Sequence, residues 1–436
     1  MRMAERTRTG GRAATNGVIG GGTALAVGNP GTPLPEGFSW QALDGLARLE
    51  SGHTPSRRIV EYWDGDVPWI GIRDATANHG RTIFDTKQHI SQAGVANSST
   101  RLLPANTVCL SRTASVGYVV TMGVPMCTSQ DFVNWVCGPR LSHRYLALLL
   151  RLEQETVRRF SSGTTHQTVY FPEAKAFHIA APELAEQKAI VAVLGALDDK
   201  IESNRRCVAL MVKLAQAVLF SDVGARPVRL GDVAILDKGV SYKGAGLVDS
   251  ASPSARPLVN LGNFPVDSSW LNSSKMKFYS GDYRHQHVVQ AGDLVVANTD
   301  LTQQRAVLGR AALVPAGLGP SLISHHVFAV RFHARQELRL PLWAQLATAS
   351  ARDRMTGYAT GTTVAGLPRE ALLDFMVSPP ASGDGIARAE TLVEAAWARE
   401  SESAALIALR DALLPELLSG RIRVSATSDA ARPTRL

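Results

Sequence analysis

The sequence predicts a mixed α/β (α+β) fold in which two globular domains are each followed by a long helix. The two helices are expected to pack as an antiparallel coiled coil with pseudo-twofold symmetry. Three observations lead to this prediction: the order of motifs repeats in the two halves of the chain, each half contains short β-like runs, and each half ends in a long helical segment. The chain of 436 residues is also too long for one ordinary domain.

Matching motifs occur in the same order in the two halves. The first half contains GDVPWIGIRD (65–74), LLPANTVCLSRTASVGYVV (102–120) and SSGTTHQTVYFPEAKAFHIAAPE (161–183). The second half contains ARPLVNLGNF (255–264), VVQAGDLVVANTD with AVLGRAALV (288–314) and YATGTTVAGLPREALLDFMVSPP (358–380). The shared Gly-Thr-Thr begins at Gly163 and at Gly361, 198 residues later, and the same offset relates Leu194 to Leu392 and Leu219 to Leu417. We interpret this as one repeated structural unit; the alternative is that β-rich domains reuse short strands and glycine turns.

Each repeat is expected to be an α/β unit of about 150 residues. NTVCLSR, VGYVVTM and FVNWVCG are typical of strands, and helical pieces are predicted over 143–160 and 341–355. The predicted segments are a disordered tail (1–33), the first domain (34–181), a central helix (182–222), the second domain (223–380), a C-terminal helix (381–421) and a flexible tail (422–436).

The central helix carries a heptad pattern. From Pro182 to Phe220 the chain has no further proline and one glycine. Its apolar residues alternate steps of four and three, as in a coiled coil, with one polar member, along Ile190, Leu194, Leu197, Ile201, Asn204, Val208, Met211, Ala215 and Val218.

The C-terminal helix is predicted to follow the same phase, through Leu392, Ala395, Arg399, Glu402, Leu406, Leu409 and Leu413. Its charged middle suggests a seam that sets register, or a side that receives a partner. The alternative is a helix that lies along the core of its own domain. A helix of about 38 residues would span about 57 Å, so each helix is expected to act as a spacer. Accessible grooves of B-DNA recur about every 34 Å, and such a spacer could therefore hold two DNA-reading domains apart.

Composition indicates a folded protein, and its basic charge is compatible with binding to nucleic acid. Lys and Arg (46) exceed Asp and Glu (38), giving a formal charge of +8. Cys109, Cys127, Cys137 and Cys207 form no C-x-x-C pair and are expected to be buried thiols. No apolar run approaches the roughly 20 residues of a membrane span, and a cytoplasmic location is expected.

Motifs of catalysis are not found in the sequence. There is no G-x-x-x-x-G-K-[ST] loop, no Asn-Pro-Pro-aromatic tetrapeptide and no G-x-S-x-G elbow around SRTAS (111–115). The carboxylates of LDDKIE (197–202) fall inside the heptad helix, and the histidines have no third ligand at metal-binding spacing. We therefore expect no catalytic residue, no metal and no cofactor in this chain.

The sequence resembles the specificity subunits of type I restriction-modification systems. The resemblance covers residues 34–421 and is strongest where the first repeat passes into its helix. The residues that match the family's signature there are Pro182, Glu186, Gln187, Ile190, Leu194, Leu197, Asp199, Lys200, Ile201, Glu202 and Asn204. The second copy lacks the Glu-Gln pair, and residues 1–33 have no counterpart in the family.

The resemblance implies a non-catalytic DNA-binding subunit. It implies two target-recognition domains that each read half of a bipartite asymmetric site in double-stranded DNA, with two methyltransferase subunits bound and endonuclease/translocase subunits added for cleavage. Those partners would use S-adenosylmethionine, ATP and Mg. Partner docking and the helix seam are assigned to Glu186, Gln187, Ile190, Leu194, Leu197, Ile201, Asn204, Leu392, Leu406, Leu409 and Leu413.

DNA contacts are expected from polar and basic residues in the turns of each repeat. Asn and Gln suit adenine, Arg suits guanine, and hydroxyls or further Arg residues would hold phosphates. In the first repeat the candidates are Arg73, Asn78, Arg81, Arg112, Ser115, Thr165, His166 and Gln167. In the second they are Asn260, Asn298, Thr299, Gln303, Gln304, Arg305 and Thr363.

Three alternatives remain open. The chain could be the specificity subunit of a system whose partner fuses methyltransferase and nuclease, which a neighbouring separate translocase gene would distinguish. It could be a self-contained enzyme, which would transfer methyl groups or cut DNA alone. It could be a coiled-coil scaffold, which would show no salt-dependent duplex binding.

Overall fold

The computed structural model divides into two compact units, each containing one sequence repeat. Unit 1 comprises Met1–Asp199 with Ile407–Leu436, and unit 2 comprises Lys200–Leu406. The described residues are 18–161, 167–221, 224, 226–242, 244–248, 254–264, 270–273, 276–302, 304–361 and 364–424. None of the helices in these ranges is both long enough and apolar enough to span a bilayer.

The described residues of unit 1 form three sheets. Its strands are β1 (Leu25–Val27), β2 (Phe38–Ala42), β3 (Ala47–Ser51), β4 (Trp63–Ile70), β5 (Thr82–Ile83), β6 (Gln88–Ile90), β7 (Val108–Ser111), β8 (Val119–Met122), β9 (Cys127–Thr128), β10 (Phe132–Cys137) and β11 (Phe177–Pro182). Its helices before the central one are α1 (Ile72–Ala77), α2 (Gln92–Ala96), α3 (His143–Leu152), α4 (Gln154–Phe160) and α5 (Phe171–Lys175). The sheet orders are β1-β11-β2, β3-β10-β7-β8-β5 and β6-β4-β9.

The two long helices are divided between the units. The first, α6, is Leu184–Ser221, and the second is Asp384–Leu418. Unit 1 contains α6 up to Asp199 and the second helix from Ile407 onward; unit 2 contains the remaining part of each.

Unit 2 repeats the topology of unit 1. Its strands are β12 (Val228–Arg229), β13 (Ala234–Lys238), β14 (Leu247–Val248), β15 (Arg256–Val259), β16 (Lys277–Tyr279), β17 (Val288–Val289), β18 (Leu294–Ala297), β19 (Thr299–Asp300), β20 (Ala311–Leu313), β21 (Ser321–Ile323), β22 (Val327–Phe332), β23 (Ala365–Gly366) and β24 (Met376–Val377). Its short helices are α7 (Arg339–Leu346), α8 (Ala349–Gly357) and α9 (Arg369–Leu373), and the long helix Asp384–Leu418 is α10.

The order β13-β22-β18-β20 matches β3-β10-β7-β8, and β16-β15-β21 matches β6-β4-β9. In the sheets that contain β4 and β15, this central strand pairs parallel to one neighbour (β4 with β9, β15 with β21) and antiparallel to the other. The internal repeat inferred from the sequence is therefore a repeat of sheet topology.

The N-terminal segment is more structured than the sequence suggested. Leu25–Val27 forms a buried strand whose Leu25 faces Ile179 on β11, and the Ala24 N–H donates to the buried carboxylate of Glu153 (2.5 Å). The expectation of a disordered tail to residue 33 is wrong here, because pairing with β11 stabilises a glycine-rich sequence of low strand propensity. Residues 1–17 and 425–436 lie outside the described residues.

The helical pieces predicted over 143–160 and 341–355 are each broken once. The first divides into α3 and α4 at Glu153, and the second into α7 and α8. Thr348 caps α8 by accepting a hydrogen bond from the Ala351 N–H (3.2 Å), as Ser142 does for α3. In each repeat the two short helices share a core with the equivalent sheet, that of β7 and β10 in unit 1 and that of β18 and β22 in unit 2.

Within each unit, the segments of α6 and α10 run antiparallel and pack on that unit's own core. In unit 1, Ile190 and Leu194 share a core with Leu414 and Leu417, while Asp198 pairs with Arg410. In unit 2, Ala215 and Leu219 share a core with Ala389, Val393 and Ala396. The predicted fold class, with two sheet-rich domains and long paired helices, is confirmed.

Candidate nucleic-acid interface

In unit 1, Arg112 ties three segments together at the end of β7. Its N–H donates to the Asp131 carbonyl (2.7 Å), and its carbonyl accepts from the Val169 N–H (2.9 Å). Its Nε donates to the Gln130 carbonyl (3.0 Å). We call Arg112, Gln130, Asp131 and Val169 the first turn frame. Burial lowers the pKa of Arg112, and the nearby Asp131 counteracts that shift, so the frame holds a partly desolvated guanidinium.

Unit 2 builds the same arrangement around Asn298. Its N–H donates to the His326 carbonyl (2.9 Å), and its carbonyl accepts from the Leu367 N–H (2.7 Å). Its Nδ2 donates to the His325 carbonyl (3.2 Å). We call Asn298, His325, His326 and Leu367 the second turn frame. The side chains of Arg112 and Asn298 thus donate to equivalent backbone carbonyls in the two repeats.

A glycine behind each frame allows close approach of two backbones. At Gly52 a methyl group would overlap the Ser129 carbonyl oxygen, and at Gly239 it would overlap the Ile323 and Ser324 carbonyl oxygens. Because these glycines follow the equivalent strands β3 and β13, the same contact supports the turn in both repeats.

The two frames present different polar side chains. Gln130 is exposed and its Oε1 accepts a hydrogen bond from the Thr54 hydroxyl. In unit 2 the rings of His325 and His326 are 3.8 Å apart, and Thr299 Oγ1 lies 2.7 Å from His326 Nδ1.

Burial, together with Lys238, lowers the pKa of both histidines, so that neutral imidazoles are favoured at neutral pH. The repeats therefore place an amide in unit 1 and neutral imidazoles in unit 2 on similar backbones.

Some of the residues predicted to contact DNA in unit 1 are exposed, and others are already engaged in hydrogen bonds within the unit. Arg73, Arg81 and Gln167 are exposed, while Asn78 is partly occupied because its Nδ2 donates to the Asp74 carbonyl (2.9 Å). Arg112 has the structural role described above, and the Ser115 carbonyl accepts from the Ser111 hydroxyl. Thr165 and His166 lie outside the described residues. Contact with DNA by the exposed members remains a prediction.

Asn298 was predicted to contact DNA from a turn, but its side chain is not available at the surface. Its side chain is 3% exposed because the amide bonds inside the frame. Among the other candidates of unit 2, Asn260 Oδ1 accepts from the Gly262 N–H (2.8 Å), and Arg305 Nη1 donates to the Thr356 carbonyl (3.2 Å). Thr299 contacts His326, and Gln304 is exposed. Gln303 and Thr363 lie outside the described residues.

The sequence reasoning missed Gln130, His325 and His326 as candidate readers. A signal was present: Ser-Gln-Asp-Phe at 129–132 and Ser-His-His-Val at 324–327 lead into the equivalent strands β10 and β22. Aligning the two repeats at this turn identifies positions where the backbone is shared and the side chain differs.

The Glu-Gln pair at the start of α6 serves unit 1 itself. Gln187 is 2% exposed; its Oε1 accepts from the Ser142 N–H (2.9 Å), and its Nε2 donates to the carbonyls of Arg140 (3.1 Å) and Pro182 (2.9 Å). Gln187 was assigned to the helix seam and partner docking, but its amide is occupied by bonds within unit 1. Glu186 forms a two-pronged ion pair with Arg423 beyond the end of α10.

Asn204 lies in the seam of unit 2, as predicted. It is 1% exposed, and its Nδ2 donates to Glu402 Oε2 (3.0 Å). The same carboxylate accepts from Arg399 (3.1 Å), and its other oxygen lies 3.3 Å from Lys200. These hydrogen bonds lower the pKa of Glu402. The charged middle of α10 therefore meets a polar seam residue, which favours one register.

In α10 the predicted seam is displaced. Leu409 is 48% exposed, and Leu392, Leu406 and Leu413 are only half-buried. The fully buried positions are Ala389, Val393, Ala396, Leu414, Leu417 and Leu418. The heptad positions of α6 do not predict the buried positions of α10, because α10 turns its apolar face partly toward the domain cores. This is the alternative that the sequence left open. On α6, Ile190, Leu194 and Ile201 are buried and Leu197 is half-buried.

The four cysteines are free. Cys109 and Cys127 are buried, while Cys137 and Cys207 are half-buried. Burial raises the pKa of Cys127 to about 11 and that of Cys137 to about 12, so these thiols stay protonated at neutral pH. Among the described residues, no three His, Cys, Asp or Glu side chains are grouped to hold a metal ion.

Part of the sequence is similar to known proteins. Residues 35–208 match the family model described as the type I restriction modification DNA specificity domain. The chain is 29% identical over 184 residues to the type I restriction enzyme MjaIX specificity subunit of Methanocaldococcus jannaschii, covering 42% of this chain and 43% of that protein. It is 26% identical over 185 residues to the EcoR124I/EcoR124II specificity subunit of Escherichia coli, covering 41% and 45%. The matches thus span less than half the length of these relatives.

The solved structure of the type I restriction-modification S subunit from M. genitalium has the same fold. The similarity has a TM-score of 0.55 at 14% identity and covers 89% of this chain and 98% of that chain. Together with the family match, this confirms the resemblance inferred from the sequence.

Proposed function

We propose that this chain, whose residues 35–208 belong to the type I restriction modification DNA specificity domain family, is the DNA-specificity subunit of a restriction-modification complex. Each unit would bind one half of a bipartite asymmetric site in double-stranded DNA. The paired helices would bind two methyltransferase subunits, and endonuclease/translocase subunits would join for cleavage in the cytoplasm. The chain itself would carry no catalysis and no cofactor; the partners would use S-adenosylmethionine, ATP and Mg.

The observation that carries this proposal is the repeated turn frame. Arg112 and Asn298 hold the same backbone connections, while Gln130 is replaced by His325 beside them. A repeated scaffold with different polar side chains is suited to reading two different half-sites, because each base pair presents its own set of donors and acceptors in the major groove.

The proposal is tested by expressing the chain with the methyltransferase encoded beside it in a host without DNA methylation. We expect one bipartite methylated motif that disappears when the chain is omitted. Duplex binding by the purified complex should weaken steeply with salt, because bound phosphates release counterions. A soluble, associated complex that yields no chain-dependent motif and binds no duplex would contradict the proposal.

A further inference from the structure

Arg57, in the loop between β3 and β4, lies over the ring of one tryptophan and beside a second. Its guanidinium carbon lies 4.2 Å from the ring centroid of Trp63 and 5.6 Å from that of Trp69. The two indoles meet edge to face, with centroids 5.3 Å apart. Their N–H groups donate to carbonyls of the same loop, Trp63 to Ser56 (3.2 Å) and Trp69 to His53 (3.1 Å). The loop that carries Arg57 therefore also fixes the rings beneath it.

The platform under Arg57 is anchored in a small core of unit 1. Trp69 is 4% exposed and packs with Val67, Ile90 and Cys127, and the less buried Trp63 lies against this cluster. Since the rings cannot swing away without opening that core, the stack restricts the orientation of the guanidinium.

Arg57 keeps its charge available for a ligand. Its Nη2 donates to the neutral amide Oε1 of Gln88 (3.1 Å). Among the described residues, the ion pairs of unit 1 do not include Arg57. A guanidinium has five N–H donors, so most remain for an acceptor, and the side chain is exposed.

The loop of Arg57 also reaches the first turn frame. Thr54, three residues earlier, donates its hydroxyl hydrogen to Gln130, whose backbone is held by Arg112. One short loop thus connects an exposed amide to an exposed, oriented guanidinium. These are the side-chain types that recognise adenine and guanine edges in the major groove.

We propose that Arg57 reads a guanine in the half-site bound by unit 1, donating two hydrogen bonds to the O6 and N7 acceptors. This inference rests on the proposed function. The favoured ligand is a base edge because a guanidinium is planar and directs its free donors within one plane, as a planar acceptor pair requires.

The test compares Arg57→Ala and Arg57→Lys with Arg58→Ala in the complex with the methyltransferase, by mapping methylated sites and by titrating duplexes with single-base changes. Arg58 is the matched control because it is the next residue, equally basic and exposed. Both Arg57 variants should lose preference for guanine at one position, by about 10- to 100-fold, because alanine has no donor and lysine lacks the planar fork that lies over the Trp63 ring. The remaining positions of the same half-site should still be read, which verifies that unit 1 of each variant is folded. The other half of the motif should persist, and Arg58→Ala should keep the whole motif.

Two results would overturn the inference while leaving the proposed function intact. One is full guanine preference in Arg57→Ala. The other is equal weakening on all duplexes with a salt slope reduced by about one charge, which would identify a phosphate contact. A wild-type complex that reads no motif would overturn the proposed function and this inference with it.

Discussion

Arg112 and Asn298 occupy equivalent positions in the two repeats and make the same hydrogen bonds with different side chains. Arg112 Nε donates to the Gln130 carbonyl at 3.0 Å, and Asn298 Nδ2 donates to the His325 carbonyl at 3.2 Å. Both residue types suit base recognition, yet here their donors are used to position a turn. The residues that differ at the surface of that turn are then the better candidates for contact with DNA.

Replacing Asn298 should therefore destabilise unit 2. In Asn298→Ala the His325 carbonyl loses its partner, and we expect a loss of about 1–3 kcal/mol in the free energy of unfolding, measured by denaturant titration. Gln304→Ala, at an exposed position of the same unit, should change stability little. An Asn298→Ala protein as stable as wild type that fails to bind DNA would instead make Asn298 a direct reader.

Gln187 provides a second test of an internal role. Gln187→Ala removes three hydrogen bonds at a buried site and should lower the free energy of unfolding by about 2–4 kcal/mol. At temperatures where the variant is folded, its affinity for the methyltransferase should equal that of wild type. A stable variant that no longer binds the methyltransferase would contradict this assignment and restore the docking role.

Glu400 and Glu402, two residues apart on α10, should respond to pH in opposite directions. Burial raises the pKa of Glu400, whose Oε1 accepts from Trp270 Nε1 (2.6 Å), so its ionisation costs stability as pH rises above the unfolded carboxyl pKa. Hydrogen bonds lower the pKa of Glu402, so its contribution is present above the unfolded pKa and lost as pH falls through the folded one.

Unfolding measured between pH 3 and pH 8 checks both signs. Glu400→Gln should be more stable than wild type near neutral pH, because an amide oxygen can still accept from Trp270 without a buried charge. Glu402→Gln should be less stable there, and both differences should shrink at acidic pH. Two variants that shift stability in the same direction at neutral pH would contradict the assignment.

Glycine substitutions test the backbone contacts behind the turn frames. Gly52→Ala and Gly239→Ala should each lower the free energy of unfolding by about 3 kcal/mol, because the new methyl group overlaps carbonyl oxygens. Gly195→Ala is the control: it lies in α6 with open space at its Cβ and should raise stability by about 1 kcal/mol. Thermal and chemical unfolding of the three variants measure this contrast, and tolerance of alanine at Gly52 would argue against the close approach.

The long helices and the repeat were predictable because each depends on local periodicity. α6 is observed over Leu184–Ser221 and contains the predicted buried Asn204. The phase of α10 was not predictable from the repeat offset, because its buried face is decided by contacts with the domain core as well as with α6. β1 was missed for a similar reason: its burial comes from pairing with a strand about 150 residues away in the sequence.

The binding surface was the least predictable part. Arg112, Asn298 and Gln187 carry side chains that commonly bind ligands, and the sequence does not reveal that backbone groups from distant segments occupy them. Gln130 and His325 become candidates for DNA contact only once the structure shows that the two turns share one set of hydrogen bonds. Arg57 is similar, because its stack depends on two tryptophans brought together by β4.

The central claim is that each unit reads its own half of one DNA site. The most direct measurement is to exchange residues 34–181 for the matching domain of a related subunit with a different motif, express the hybrid with the methyltransferase and map methylated bases genome-wide. The account predicts a motif in which one half changes and the other half and the gap are retained. A motif that is unchanged, or altered in both halves, with the hybrid complex intact, would contradict it.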